Sequence, residues 1–101
     1  MRDDEVLIGS LVEDSWLPLE SVAAACAVEP EWLILHIEEG LFPSAESVAG
    51  TWRFSHACLI RARRMRALER DFDALPELAA LVADLLEQID ELRARRPTGM
   101  G

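Results

Sequence analysis

Residues 19–40 read LESVAAACAVEPEWLILHIEEG, and this stretch decides the fold. Leu19, Val22, Ala23 and Cys26 recur at helical spacing and share one face, which predicts a short amphipathic helix. Pro18 is tolerated beside its first turn. Ala27, Val28 and Glu29 leave room only for a tight connection. Pro30 then opens a second helix, where the N–H that proline lacks has no partner in any case. Leu33, Ile34 and Ile37 form its apolar face, and Gly40 ends it as a C-cap. Two short helices joined by so short a turn form a helix-turn-helix unit.

Working outward, Leu41-Phe42-Pro43 leads into a loop containing Ser44, Ser47 and Gly50. Thr51-Trp52-Arg53-Phe54 has strand composition, with Trp52 and Phe54 directed to one face and Thr51 and Arg53 to the other. This order predicts a small β-wing after the helix-turn-helix. Ser55 suits the N-cap of a third helix reaching about Arg70. The stretch from Phe72 to Pro76 breaks it. Leu75, Leu78, Val82, Leu85, Ile89 and Leu92 then follow at alternating spacings of three and four, the period of a coiled-coil seam. Roughly two and a half heptads are too few for an isolated helix, so the seam, Leu78, Val82, Leu85, Ile89 and Leu92, is expected to pair with its twin in an antiparallel homodimer. On the N-terminal side, Val6–Val12 has weak strand character. The expected organisation is a winged helix-turn-helix over 1–76, a dimerisation helix of the same domain over 77–96 and a tail over 97–101.

At 101 residues, half of them apolar, the chain can bury one core and is no disordered tail. It carries 19 acidic and 10 basic residues, every base an arginine, for a net charge of −9. Residues 1–50 hold eleven of the acids and one base, Arg2. Such a front half gains nothing from counterion release and is a poor non-specific DNA binder; it suits a cationic partner. No stretch has the length and apolarity of a membrane span, and Met1-Arg2-Asp3-Asp4-Glu5 is acidic where a secretion signal is basic. The expected location is the cytoplasm.

No catalytic, metal or cofactor pattern stands out. His36 and His56 are single histidines on predicted helices, and His56 suits a local hydrogen bond. Cys26 and Cys58 read as buried reduced thiols, and these four groups lack the spacing of a zinc site. A phosphate loop and an H-E-x-x-H motif are both absent. The chain is expected not to be an enzyme. The run Arg61, Arg63, Arg64, Arg66, Arg70 reads first as a solvated face, in part paired with Asp71, Asp73, Glu87 or Asp90, and second as a residual phosphate-binding stripe.

The order of elements resembles the MerR-type winged helix, carried by residues 19–28, by Glu39-Gly40-Leu41-Phe42-Pro43 and by Trp52-Arg53-Phe54. One branch is more similar over nearly the whole length: the chaperone-modulator, CbpM-like family. Gly40 to Pro43, Thr51 to Phe54, His56-Ala57, Arg63, Arg66 and Pro76 carry that resemblance. It implies a dimer that binds the J-domain of a CbpA/DnaJ-like co-chaperone and blocks both its stimulation of DnaK and its DNA binding. The arginine-rich third helix departs from the family pattern. The alternative is a MerR-type DNA-binding transcriptional regulator.

The second helix separates the two readings. A groove-reading helix brings Arg, Lys, Asn or Gln to bases and phosphates. Here residues 31–39, EWLILHIEE, contain none of the four, and their three carboxylates would face phosphates. Glu31, Glu38 and Glu39 are therefore candidate charges toward the basic helix that J-domains present, with Trp32 and Trp52 as candidate apolar anchors. Surface carboxylates are more often a solvated face, and tryptophans more often core.

Overall fold

A computed structural model describes residues 16–95. The strand character of Val6–Val12 and the tail at 97–101 lie outside the described residues. The chain forms two compact units that divide between Arg63 and Arg64.

The first unit contains β1 (Leu17–Pro18), α1 (Leu19–Cys26), α2 (Pro30–Glu38), β2 (Glu46–Val48), β3 (Thr51–Phe54) and the beginning of α3 (His56–Phe72). The helix-turn-helix forms where the spacing predicts it. Ala27 ends α1 in the left-handed region at φ 57°, and the Val28 N–H donates to the Ala23 carbonyl at 3.0 Å. Gly40 does the same after α2 at φ 79°, with the Leu41 N–H donating to the His36 carbonyl at 3.0 Å. Both are Schellman closures, which satisfy carbonyls that the helix end leaves open.

The wing is a three-stranded antiparallel sheet in the order β1-β3-β2. Glu46 pairs with Arg53 and Val48 with Thr51, so Ala49-Gly50 is a two-residue turn. Both turn residues have positive φ, 53° and 78°, the geometry that matches the twist of a hairpin. The sequence reading left β2 in a loop, because ESV has no alternating apolar residue to flag it. Nor did it assign β1, a two-residue strand pairing Leu17 with Phe54. Pro18 is allowed there because β1 is an edge strand.

Val22 and Leu33 from the two helices and Phe54 from the wing are fully buried, joined by Ala23, Cys26, Phe42, Cys58 and Ala62. Burying a side chain such as Leu33 contributes about 1.5–3 kcal/mol. Phe54 points inward and Trp52 is half-buried. Ser55 caps α3, its Oγ accepting from the Cys58 N–H at 3.2 Å.

The second unit comprises the rest of α3 and α4 (Pro76–Arg95). Asp73, at φ 56°, turns the chain, and the Ala74 N–H donates to the Leu68 carbonyl at 3.3 Å. Arg64 on α3 meets Asp90 on α4 at 2.8 Å, so the two segments run back alongside each other. The fully covered positions of α4 are Ala79, Ala80 and Ala83.

Candidate protein-docking site

Helix α2 is held by groups on its inner side. Leu33 is fully buried and His36 nearly so. The His36 ring stacks on Trp32 with centroids 3.9 Å apart, and its Nδ1 lies 2.7 Å from the Trp32 carbonyl. Phe42 meets both rings edge-on at 6.4 Å. Trp32 is thus half-buried in an aromatic cluster that fixes the end of α2 against the chain that follows.

Arg61 completes this joint. It belongs to the arginine run that the sequence suggests is solvated, yet it is 6% exposed. Its Nε donates to the Leu41 carbonyl at 2.9 Å, and its guanidinium lies 5.9 Å from the Phe42 ring centre. The signal was present: Arg61 lies in the stripe Cys58, Ala62, Met65 that α3 buries. The rest of the run divides. Arg64 pairs with Asp90 and Arg70 with Asp71 at 2.9 Å, both pairings the sequence offered, while Arg63 is exposed.

The outer side of α2 presents Glu31, Leu35, Glu38 and Glu39, all exposed. Spacings of three and four put Glu31, Leu35 and Glu38 in one row. Leu35 is 58% exposed, the apolar residue that sequence reasoning missed. Its position opposite Leu33 and Ile37 on the helical wheel was the available signal. Over residues 16–50 there are six carboxylates and no arginine or lysine, so no cation of this segment offsets the row.

The wing has little positive charge to spare. Arg53 Nη2 contacts Glu46 Oε1 at 3.0 Å, and its guanidinium lies 4.3 Å from the centre of the Trp16 ring. The one base of the hairpin is therefore engaged by a carboxylate and an aromatic face. Trp52, opposite Ser47 in the sheet, is half-buried.

Both cysteines are free and buried. Burial pushes the Cys26 thiol above its usual range, an effect that the charge of Arg63 partly opposes. A thiol so placed is a poor nucleophile at neutral pH. Among the described residues no helix is long and apolar enough to cross a membrane.

The seam residues lie on α4. Leu78, Leu85, Ile89 and Leu92 are exposed. Val82 is half-buried, and Leu81 takes its place on the outer stripe.

Comparison with known proteins agrees with this architecture. The model of the MerR HTH family of regulatory proteins matches residues 17–96. The chaperone modulatory protein CbpM of Coxiella burnetii, in the Dugway and Henzerling II strains, is 27% identical over 95 residues, covering 93% of this chain and 90% of the relative. No solved structure matches significantly. The helix-turn-helix, the paired wing and the following helices are the parts that the family model spans, and the chain belongs to the MerR HTH family of regulatory proteins.

Proposed function

We propose that the protein is a chaperone modulator of the cytoplasm that binds the J-domain of a CbpA/DnaJ-like co-chaperone and inhibits its co-chaperone and DNA-binding activities. The similarity to CbpM supports the chaperone-modulating role. The observation that carries the finer reading is the outer row of α2, where Glu31, Glu38 and Glu39 surround the exposed Leu35 and no arginine or lysine occurs among residues 16–50. Carboxylates of this kind steer a basic helix into place and set its register, and apolar contact slows its release. Leu35 supplies that contact at the centre of the row, and in this reading Trp32 and Trp52 are further apolar anchors. Inhibition follows from occlusion of the partner's basic helix and requires no chemistry. In this reading the protein works as a homodimer joined through α4.

The same row disfavours the DNA-binding regulator. A helix with three outward carboxylates repels phosphates, and Arg53 would have to leave Glu46 and Trp16 to reach one. Calorimetric titration of the full chain against an isolated J-domain tests the proposal. Saturable binding that weakens with salt is expected. Glu38→Lys with Glu39→Lys should weaken it by about 10- to 100-fold, roughly the 1.5–3 kcal/mol of close interfacial charge pairs, and flatten its salt dependence. Absence of binding at low salt, or a palindromic duplex shifted by the unmodified chain, overturns it.

A further inference from the structure

Arg61 is a cation at a position where an apolar side chain would serve burial equally well. It sits among Cys58, Ala62 and Met65 on the side of α3 that is covered. Taking a guanidinium out of water is costly, and an apolar residue of similar volume at such a place is often neutral or stabilising. What the arginine adds is direction, because a hydrogen bond fixes geometry in a way that apolar contact does not.

That direction is given to one residue just past the end of α2. The Leu41 N–H donates to the His36 carbonyl at 3.0 Å and closes α2, while the Leu41 carbonyl accepts from Arg61 Nε at 2.9 Å. Leu41 is therefore tied to α2 through its nitrogen and to α3 through its oxygen. The next residue, Phe42, is buried, has the Arg61 guanidinium 5.9 Å from its ring centre, and meets Trp32 and His36 edge-on. Arg61 thus holds two successive residues of the chain leaving α2. This is the end of the helix at which Glu38 and Glu39 are exposed, and a positive charge at a helix C-terminus is itself favourable.

From this we infer that Arg61 is a positioning residue for the docking row. Its hydrogen bond to the Leu41 carbonyl fixes the last turn of α2, and with it the places of Glu38 and Glu39 relative to Leu35. The inference rests on the docking reading of the preceding section and names the residue outside α2 on which that surface depends. Arg61 touches no partner and acts only through Leu41. Leu33 anchors the middle of α2 in the core, so loss of the bond releases the last turn rather than the whole helix.

A matched pair of variants in the full chain tests this. Glutamine carries its amide nitrogen as many bonds from Cα as arginine carries Nε, and methionine carries a methyl group there. Arg61→Gln therefore keeps a donor for the Leu41 carbonyl and loses the charge; Arg61→Met has the same length and loses both. The amides of Glu39, Gly40 and Leu41 donate to the carbonyls of Leu35, Ile37 and His36, and that of Val28 closes α1 on Ala23. In Arg61→Met the first three should exchange hydrogen about 10-fold faster by NMR, with Val28 unchanged. Calorimetric titration of that variant against an isolated J-domain should show binding weaker by about 10-fold. Arg61→Gln should keep all four exchange rates and bind within about 2-fold of the unmodified chain. Equal behaviour of the two variants would overturn the proposal, and so would acceleration of Val28 together with the other three, which marks a general loss of stability. If Arg61→Met does not fold, Arg61→Gln decides: slow exchange at the three amides supports the proposal, and faster exchange there overturns it. If neither folds, Arg61 serves the core alone and the proposal falls. Absence of J-domain binding by the unmodified chain would overturn the function proposed above, while the exchange comparison would still decide whether Arg61 fixes the end of α2.

Discussion

Helices α2 and α4 direct their leucines in opposite ways. In α2, Leu33 goes inward and the outer row is mostly carboxylate, with Leu35 the exception. In α4 the inward positions are alanines, and the leucines face out. The first pattern is that of a unit that buries Leu33 in its core and turns an acidic row outward. The second leaves an apolar stripe that soluble single chains avoid exposing. The comparison teaches that mean apolarity does not tell which surface is free; the direction of each side chain does.

The largest expected effect breaks the comparison on the α4 side. Leu85→Asp with Ile89→Asp would place two carboxylates in the proposed seam, where an unpaired charge has no water to replace. The dimer dissociation constant should rise by about 1000-fold or more, roughly 4 kcal/mol, as read by sedimentation equilibrium. An unchanged dimer would place the interface elsewhere.

A pair on α2 comes next. Leu33→Ala opens a hole in the core and should cost about 2–5 kcal/mol in urea unfolding. Leu35→Ala, two positions along, should stay within about 0.5 kcal/mol of the unmodified protein. Its effect should appear instead as weaker J-domain binding. Equal losses of stability would mean that Leu35 is not the outer residue.

The helix ends provide an internal exchange. Ala27 and Gly40 occupy the same left-handed closure, but only one of them is glycine. An alanine there is strained by about 1–2 kcal/mol, partly offset by the smaller entropy it loses on folding. Ala27→Gly should raise stability by about 0.5–1 kcal/mol, and Gly40→Ala should lower it by a similar amount. A Cβ at Gly40 meets nothing within 4 Å, so backbone strain is the whole of its cost. Thermal melts of the two variants should move in opposite directions.

These same positions explain what was legible in the sequence. Pro30, Gly40 and Ser55 are residues whose local chemistry marks helix ends, and the helices begin and end beside them. Ala27 carries no such mark, yet the short gap before Pro30 forced a turn there. β1 and β2 were not legible because two- and three-residue strands have no period; their pairing with β3 creates them. The acidic row of α2 could be read from composition alone. Leu35 and Arg61 were legible only from their places on the helical wheel, because each goes against the usual direction of its residue type.

The smallest effect concerns the exposed end of α3. Arg70 hydrogen-bonds Asp71 at 2.9 Å, and that bond, aided by the charges of Arg70 and Arg66, holds the Asp71 carboxyl below its ordinary value. A carboxyl whose folded value is depressed contributes stability above its unfolded value, and the contribution is lost as pH falls through the folded one. Asp71→Asn should therefore narrow the gap between melting temperatures at neutral and strongly acidic pH, and do so by little, because both side chains are solvated and salt screens the pair. The Arg64–Asp90 pair is the sharper control, since the Arg64 side chain is only 27% exposed. Asp90→Asn should cost more at neutral pH than Asp71→Asn does, up to about 1 kcal/mol, because a partly covered guanidinium loses its carboxylate. If the two asparagine variants melt alike at low salt, the link between α3 and α4 does not depend on that ion pair, and the buried alanine face alone holds α4 in place.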